Sequence, residues 1–134
     1  ETRFPLILQN FHRYTWYLAV ALIVLLTWDA LLAFRFPAPG GGHRFGLGVG
    51  TIVMWINVIL LAAYTFSCHS CRHLCGGHLD AFSKAPGRYK VWHFVSRLNE
   101  QHPTYAWLSL FSVGLADLYI RLVSMGIIRD LRIF

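Results

Sequence analysis

The sequence predicts an all-α membrane protein of three transmembrane helices running up-down-up, with a short interfacial helix in the second loop. Three observations carry this expectation. The 134 residues are 56% hydrophobic and 16% aromatic but only 13% charged, against roughly 25% charged in an ordinary soluble domain. The apolar residues gather in three runs, each long enough for the roughly 20-residue helix that a bilayer core requires. In lipid the backbone must satisfy its own hydrogen bonds, so helix is the state each run adopts. A single transmembrane domain over residues 1–134 is the organisation expected of this length.

The first helix is expected over about 14–36, carrying no charge until Asp29. Asp29 is costly in lipid and is expected to face a partner helix. The run Pro37-Ala38-Pro39-Gly40-Gly41-Gly42 then supplies a turn of helix breakers, making the first two helices antiparallel neighbours. The second helix is expected over about 45–75, with Gly46 and Gly50 as a small-xxx-small pair that permits close helix contact. The third is expected over about 104–128, where Asp117 and Arg121 share a face four residues apart and compensate each other. Between the last two, a polar loop carries Lys84, Arg88, Lys90 and Arg97, and within it Val91, Phe94, Val95 and Leu98 fall at helical spacing.

Three spans put the N-terminus and this loop on one side, which holds seven of the twelve Lys and Arg residues. The positive-inside rule then favours a cytoplasmic N-terminus in a multi-pass protein of the cell (inner) membrane. The net charge of +6 suits loops facing an anionic membrane surface, and nucleic acid is not expected as a partner. No cleavage pattern of a signal peptide is seen at the N-terminus. A stand-alone enzyme is not expected either, because no nucleophile–base or paired-carboxylate arrangement is present.

The chemistry concentrates in Cys68-His69-Ser70-Cys71-Arg72-His73-Leu74-Cys75-Gly76-Gly77-His78-Leu79-Asp80, which holds all three cysteines and three of the seven histidines. An odd, clustered cysteine count is a poor disulfide framework, and soft ligands grouped this densely point to a metal. If the helix continues through the motif, Cys68, Cys71, Cys75 and His78 fall within an arc of roughly 80° and His69 and His73 face elsewhere. If Gly76-Gly77 ends the helix, Cys71-x-His73 and Cys75-x-x-His78 resemble the two halves of a Rieske signature, two Cys for one iron and two His for the other. Both readings share Cys71, Cys75 and His78, with Cys68 or His73 as the fourth ligand; a partner chain is a further source. A [2Fe-2S] cluster is favoured over a structural zinc, since three membrane helices need no staple, whereas imidazole ligands raise a cluster's potential towards that of quinones.

Two motifs resemble the cytochrome b anchor subunit of succinate dehydrogenase and fumarate reductase, complex II. Phe11-His12-Arg13-Tyr14-Thr15 is similar to the family's L-H-R-x-S element, and Arg72-His73-Leu74 with Asp80 is similar to its G-I-R-H-L-x-x-D element. The resemblance implies a membrane anchor that docks a flavoprotein and an iron–sulfur subunit, pairs with a second anchor subunit and passes electrons to quinone. The family's haem-ligating His, two turns before R-H-L, is Phe66 here. The resemblance is therefore closest to the mycobacterial type, with a Rieske-like cluster in place of the haem. Haem b held by His69 or by a partner's histidine is the alternative within the family, and a zinc-stabilised scaffold without a redox role is the alternative outside it.

For the quinone pocket the resemblance points to His12 and Arg13, an imidazole that titrates near neutral pH beside a fixed cation, with Gln9 one turn away. Asp117 and Tyr119 are similar to the Asp-Tyr pair of the family's partner anchor. Trp16 and Trp55 are expected in interfacial aromatic belts, with the lining of a cavity as the alternative.

Overall fold

The computed structural model describes residues 3–5, 7, 11–77 and 79–134. Three long helices dominate: α1 (His12–Leu32), α2 (Val49–Phe66) and α5 (His102–Ser124). Two further helices, α3 (His69–Gly76) and α4 (Pro86–Glu100), lie between α2 and α5 in the chain, separated by a 3-10 turn at Phe82–Lys84. The long helices have 21, 18 and 23 residues and mean hydropathies of 1.8, 1.9 and 1.4. At 1.5 Å per residue each is about 27–35 Å long, enough to cross a bilayer core. No more than 17% of any of these apolar segments is buried within the chain. Leu22, Val24, Leu25, Leu110, Phe111 and Leu115 accordingly point outward, towards lipid or a neighbouring subunit.

Helix α2 is central and packs against α5 on one side and α1 on the other. Beside Ile23 and Val58, several buried positions are small: Ala30, Thr51, Ser109 and Ala116 are each at most 5% exposed. Small residues let backbones approach closely, which replaces the hydrophobic drive that lipid cannot supply. Hydrogen bonds between helices add to this, with Ser112 Oγ donating to Asn57 Oδ1 at 3.1 Å and Trp16 Nε1 to the Thr65 carbonyl at 2.9 Å. Trp16 is therefore a link between helices as well as an aromatic near the membrane boundary.

The first connection is more than the expected turn. It forms an antiparallel hairpin, β1 (Arg35–Pro37) against β2 (His43–Phe45), with Phe36 opposite Arg44. The hairpin tip needs Gly41 and Gly42, whose φ values of 84° and 85° only glycine adopts readily. Helix one consequently stops at Leu32, short of the predicted 36. Gly46 lies in the link before α2, outside any helix, so the Gly46/Gly50 pair makes no helix-crossing motif. There a Cβ on Gly46 would meet Phe36 and the Phe134 carbonyl at 2.9 Å.

Helix α2 starts on Gly48 without a side-chain cap of its own. The cap arrives from the far end of the chain. Asp130 Oδ1 accepts the Gly50 N–H at 2.8 Å and the Tyr119 hydroxyl at 2.7 Å, and a β-bridge joins Gly48 to Arg132. A carboxylate at a helix N-terminus satisfies an orphan donor and complements the helix dipole. Asp130→Ala is expected to destabilise the protein by about 1–2 kcal/mol, read as a lower midpoint of thermal unfolding in detergent, with Asp130→Asn retaining part of the loss.

The second apolar run does not continue to 75 as one helix. It breaks at Ser67–Cys68, where Cys68 is extended with φ −63° and ψ 142°. Donors from three other helices explain the break. Trp16 takes the Thr65 carbonyl, Asn99 Nδ2 donates to the Ser67 carbonyl at 2.7 Å, and the fully buried Ser67 hydroxyl lies 2.7 Å from His102 Nδ1 while donating to the Tyr64 carbonyl. Polar groups released from the helix ladder are thus satisfied in place.

The helix expected in the second loop is present and longer than its predicted core. Its inward face differs from the predicted stripe. Val91 and Phe94 are 51% and 62% exposed, and of the four predicted positions only Val95 is buried. Trp92, Val95, Ser96 and Asn99 face the bundle end instead, with α4 resting on α3. A single residue, Gln101, separates α4 from α5, and Pro86 and Pro103 occupy first turns, where their missing N–H is harmless.

Candidate metal centre at one end of the bundle

The break at Ser67–Cys68 turns α3 across the end of the bundle and aims its first residues at the start of α1. His12, Cys68 and His69 come together there, with their ligand atoms all within 4.8 Å of one another. The His12 and His69 rings lie 4.4 Å apart between centroids, tilted by 57°. His12 Nε2 is 3.1 Å from Ser70 Oγ, which ties α1 to the first turn of α3. Cys68 is 9% exposed and Cys71 7%, and all three cysteines are free thiols.

Cys71 and Cys75 stand four apart on one face of α3, in side-chain contact. Burial pushes the Cys71 thiol up to about 12, and the neighbouring Cys75 and Cys68 reinforce the shift. Without a metal this thiol stays protonated at neutral pH; a bound cation would stabilise the thiolate and release the proton. His69 moves the other way. Burial lowers its pKa, and His12, Arg13, His102 and His73 add to the effect. It is therefore neutral at pH 7, the form in which imidazole binds a metal.

The predicted site residues separate into groups. Gln9 and His78 lie outside the described residues. His69, expected to face away from the cysteines, is exposed, with its ring 4.4 Å from that of His12. Cys68 precedes α3 and does not share its helical face with Cys71 and Cys75. Cys71 and His73 are about 200° apart around α3, the first buried and the second exposed with its ring against Gly77. Asp117 and Tyr119 sit near the other end of α5. There Asp117 pairs with Arg121 at 2.8 Å on an exposed face, and Tyr119 lines a cavity of about 320 Å³ with Asp130, Gly50 and Phe36. They form no pocket with His12 and Arg13.

Reasoning from the sequence missed His12 as a partner of the Cys/His segment, and it missed His102 altogether. Both line a cavity of about 140 Å³ with Thr15, Trp16, Tyr64 and Cys68. The signal was topological: in an up-down-up bundle the start of helix one and the end of helix two meet at one end. Arg13 is not part of this cavity. It lines two others, together with His73.

Comparison with known proteins agrees with this architecture. A solved chain of the "Mycobacterium smegmatis Sdh1 complex in the apo form" superposes with a TM-score of 0.86 at 52% identity, covering 99% of this chain and 48% of that one. This chain thus spans about half the length of the solved relative. No curated protein matches. The family model described as "Actinobacterial succinate dehydrogenase subunit SdhC" matches residues 1–126. With three apolar helices of spanning length and this match, the chain is a multi-pass membrane protein that belongs to the actinobacterial succinate dehydrogenase SdhC family.

Proposed function

We propose that the chain anchors a succinate dehydrogenase in the membrane and holds a Rieske-like [2Fe-2S] cluster through which electrons reach a quinone. One observation carries the reading: two imidazoles, His12 from α1 and His69 from α3, converge with the Cys68 thiol of the α2–α3 break at one end of a membrane bundle. The donor chemistry fits such a cluster, which takes two imidazoles on one iron and two thiolates on the other. His12 and His69 are the imidazole pair. Cys68 and one of the Cys71/Cys75 pair are the thiolates, and His78 is a further donor on the same segment. When bound, the cluster accepts and gives up single electrons. The 4.4 Å spacing of the two rings leaves no room for a porphyrin between them, which favours the cluster over haem b.

The remaining residues serve position and protons. Ser70 holds the His12 ring at 3.1 Å, and Ser67 fixes His102 at 2.7 Å. Reduction of a quinone consumes two protons, and His102 faces the small cavity between α1, α2 and α5, where a quinone head entering from the bilayer would meet its imidazole. Partners follow from the family: a flavoprotein, an iron–sulfur subunit and further membrane segments. The α3–α4 end, rich in Lys and Arg, is the docking side and lies in the cytoplasm with the N-terminus.

The test compares the intact purified complex with its Cys68→Ser variant. The variant is expected to lose about two iron and two acid-labile sulfide atoms per chain, together with a Rieske-type EPR signal. Unchanged iron would overturn the cluster; zinc in its place would leave a scaffold without redox chemistry.

A further inference from the structure

The proposed electron path leaves most of a further cavity at this end unused, sharing only His69 with it. It has a volume of about 400 Å³ and is walled by Arg13 from α1, His69, Arg72, His73, Gly76 and Gly77 from α3 and its end, and Phe82 and Trp92. Its charge is one-sided. The described carboxylates are Asp29, Asp80, Glu100, Asp117 and Asp130, and none of them lines it.

The two guanidiniums are held in different ways. Arg72 Nε donates to Ser96 Oγ at 3.0 Å, and the group lies over the Trp92 ring at 5.0 Å. That fixes its plane and leaves both Nη groups without a hydrogen-bond partner among the described residues. Arg13 makes neither an ion pair nor a hydrogen bond among the described residues. A guanidinium with fixed plane and free Nη donors matches the oxygens of a phosphate, which it can engage in a bidentate manner. Two such cations facing one cavity repel each other until an anion enters.

Depth selects the kind of anion. Arg13 is the second residue of a helix long and apolar enough to span a membrane, which puts it at headgroup level. A second cavity of about 270 Å³ shares Arg13 and His73 with the first, and its other walls include Tyr14, Tyr17 and Leu74. A polar basic chamber thus opens beside an apolar trough along the outer side of α1. Basic pockets between membrane helices are suited to phospholipid headgroups.

We infer that this cavity binds the phosphate of an anionic phospholipid through Arg72 and Arg13, with an acyl chain along Tyr14 and Tyr17. The inference rests on the membrane-subunit assignment and not on the cluster, so lipid content and the EPR signal succeed or fail separately. The complete complex is purified in mild detergent as wild type, Arg72→Gln and Arg72→Lys, and bound phospholipid is quantified by headgroup. Wild type is expected to retain about one anionic phospholipid per chain that Arg72→Gln loses. In back-titration with phosphatidylglycerol, Arg72→Gln is expected to bind about tenfold more weakly, as for one lost charge-assisted contact, with Arg72→Lys in between.

Phosphatidylcholine of the same chains and inorganic phosphate alone are the other arms, with thermal unfolding as the readout. Protection by phosphatidylglycerol only supports the inference. Equal protection by inorganic phosphate overturns the lipid and leaves a free-phosphate site; equal protection by phosphatidylcholine, or equal lipid retention in all variants, overturns the site. Arg13→Gln, which breaks no hydrogen bond among the described residues, gives the same reading if Arg72→Gln does not assemble.

Discussion

His12→Ala is expected to strip the complex of as much iron and labile sulfide as Cys68→Ser does, whereas His73→Ala leaves both unchanged. The two histidines look equivalent in sequence, since each sits beside an arginine in a family-like motif. The structure separates them. His12 reaches across from α1 to within 4.8 Å of the Cys68 and His69 ligand atoms, while His73 is exposed on the opposite side of α3 from Cys71, its ring against Gly77. On the proposed cluster, loss of a ligand removes the electron carrier itself, so succinate-driven quinone reduction should fall by about 100-fold or more in His12→Ala, beyond the loss typical of an outer-shell residue. Succinate oxidation by a soluble acceptor that bypasses the membrane end should persist. The reverse outcome, with iron lost in His73→Ala and kept in His12→Ala, would restore the Cys71-x-His73 pairing and remove α1 from the site.

How far the sequence reaches follows from which interactions are local. Three spans were legible because apolar run length is a property of contiguous residues. The segment from Cys68 to His78 was legible because composition alone marks it. The break that organises the segment was not, because nothing at Ser67–Cys68 is a strong helix breaker. It depends on Trp16, Asn99 and His102, which reach it from three other helices. Without the break, a wheel drawn through 45–75 puts Cys68 on the Cys71/Cys75 face and gives no sign that an exposed His69 meets His12. The Asp130 cap on α2 was hidden for the same reason: its partner lies 80 residues away in the chain. The hairpin after α1 replaced a simple turn because residues flanking the glycines pair across it, a choice that the breakers permit but do not dictate.

Gly76→Val is expected to displace α3 and loosen the proposed metal centre without touching any proposed ligand. Gly76 is the last residue of α3, and its backbone does not require glycine's φ range, so the constraint is space alone. A Cβ there would run into Trp92, with Cδ1 the nearest atom, Cγ at 2.9 Å and Nε1 at 3.0 Å. The indole has little freedom to retreat. It packs against Phe82 at 4.9 Å between centroids and Tyr89 at 6.2 Å, and Arg72 lies over it at 5.0 Å. Overpacking of this kind costs about 1–3 kcal/mol, and relief by moving α3 would shift Cys71 and Cys75 together with Arg72. Gly76→Val should therefore lower both the unfolding midpoint and the bound iron of the complex, with Gly76→Ala milder in each. Gly87→Ala is the matched control. Gly87 lies within α4, and a methyl group added there would meet nothing within 4 Å, so alanine's better helix propensity should raise stability by up to about 1 kcal/mol and leave iron unchanged. If Gly76→Val keeps both iron and midpoint at wild-type values, the contact between α3 and α4 is not what holds the cysteines in place.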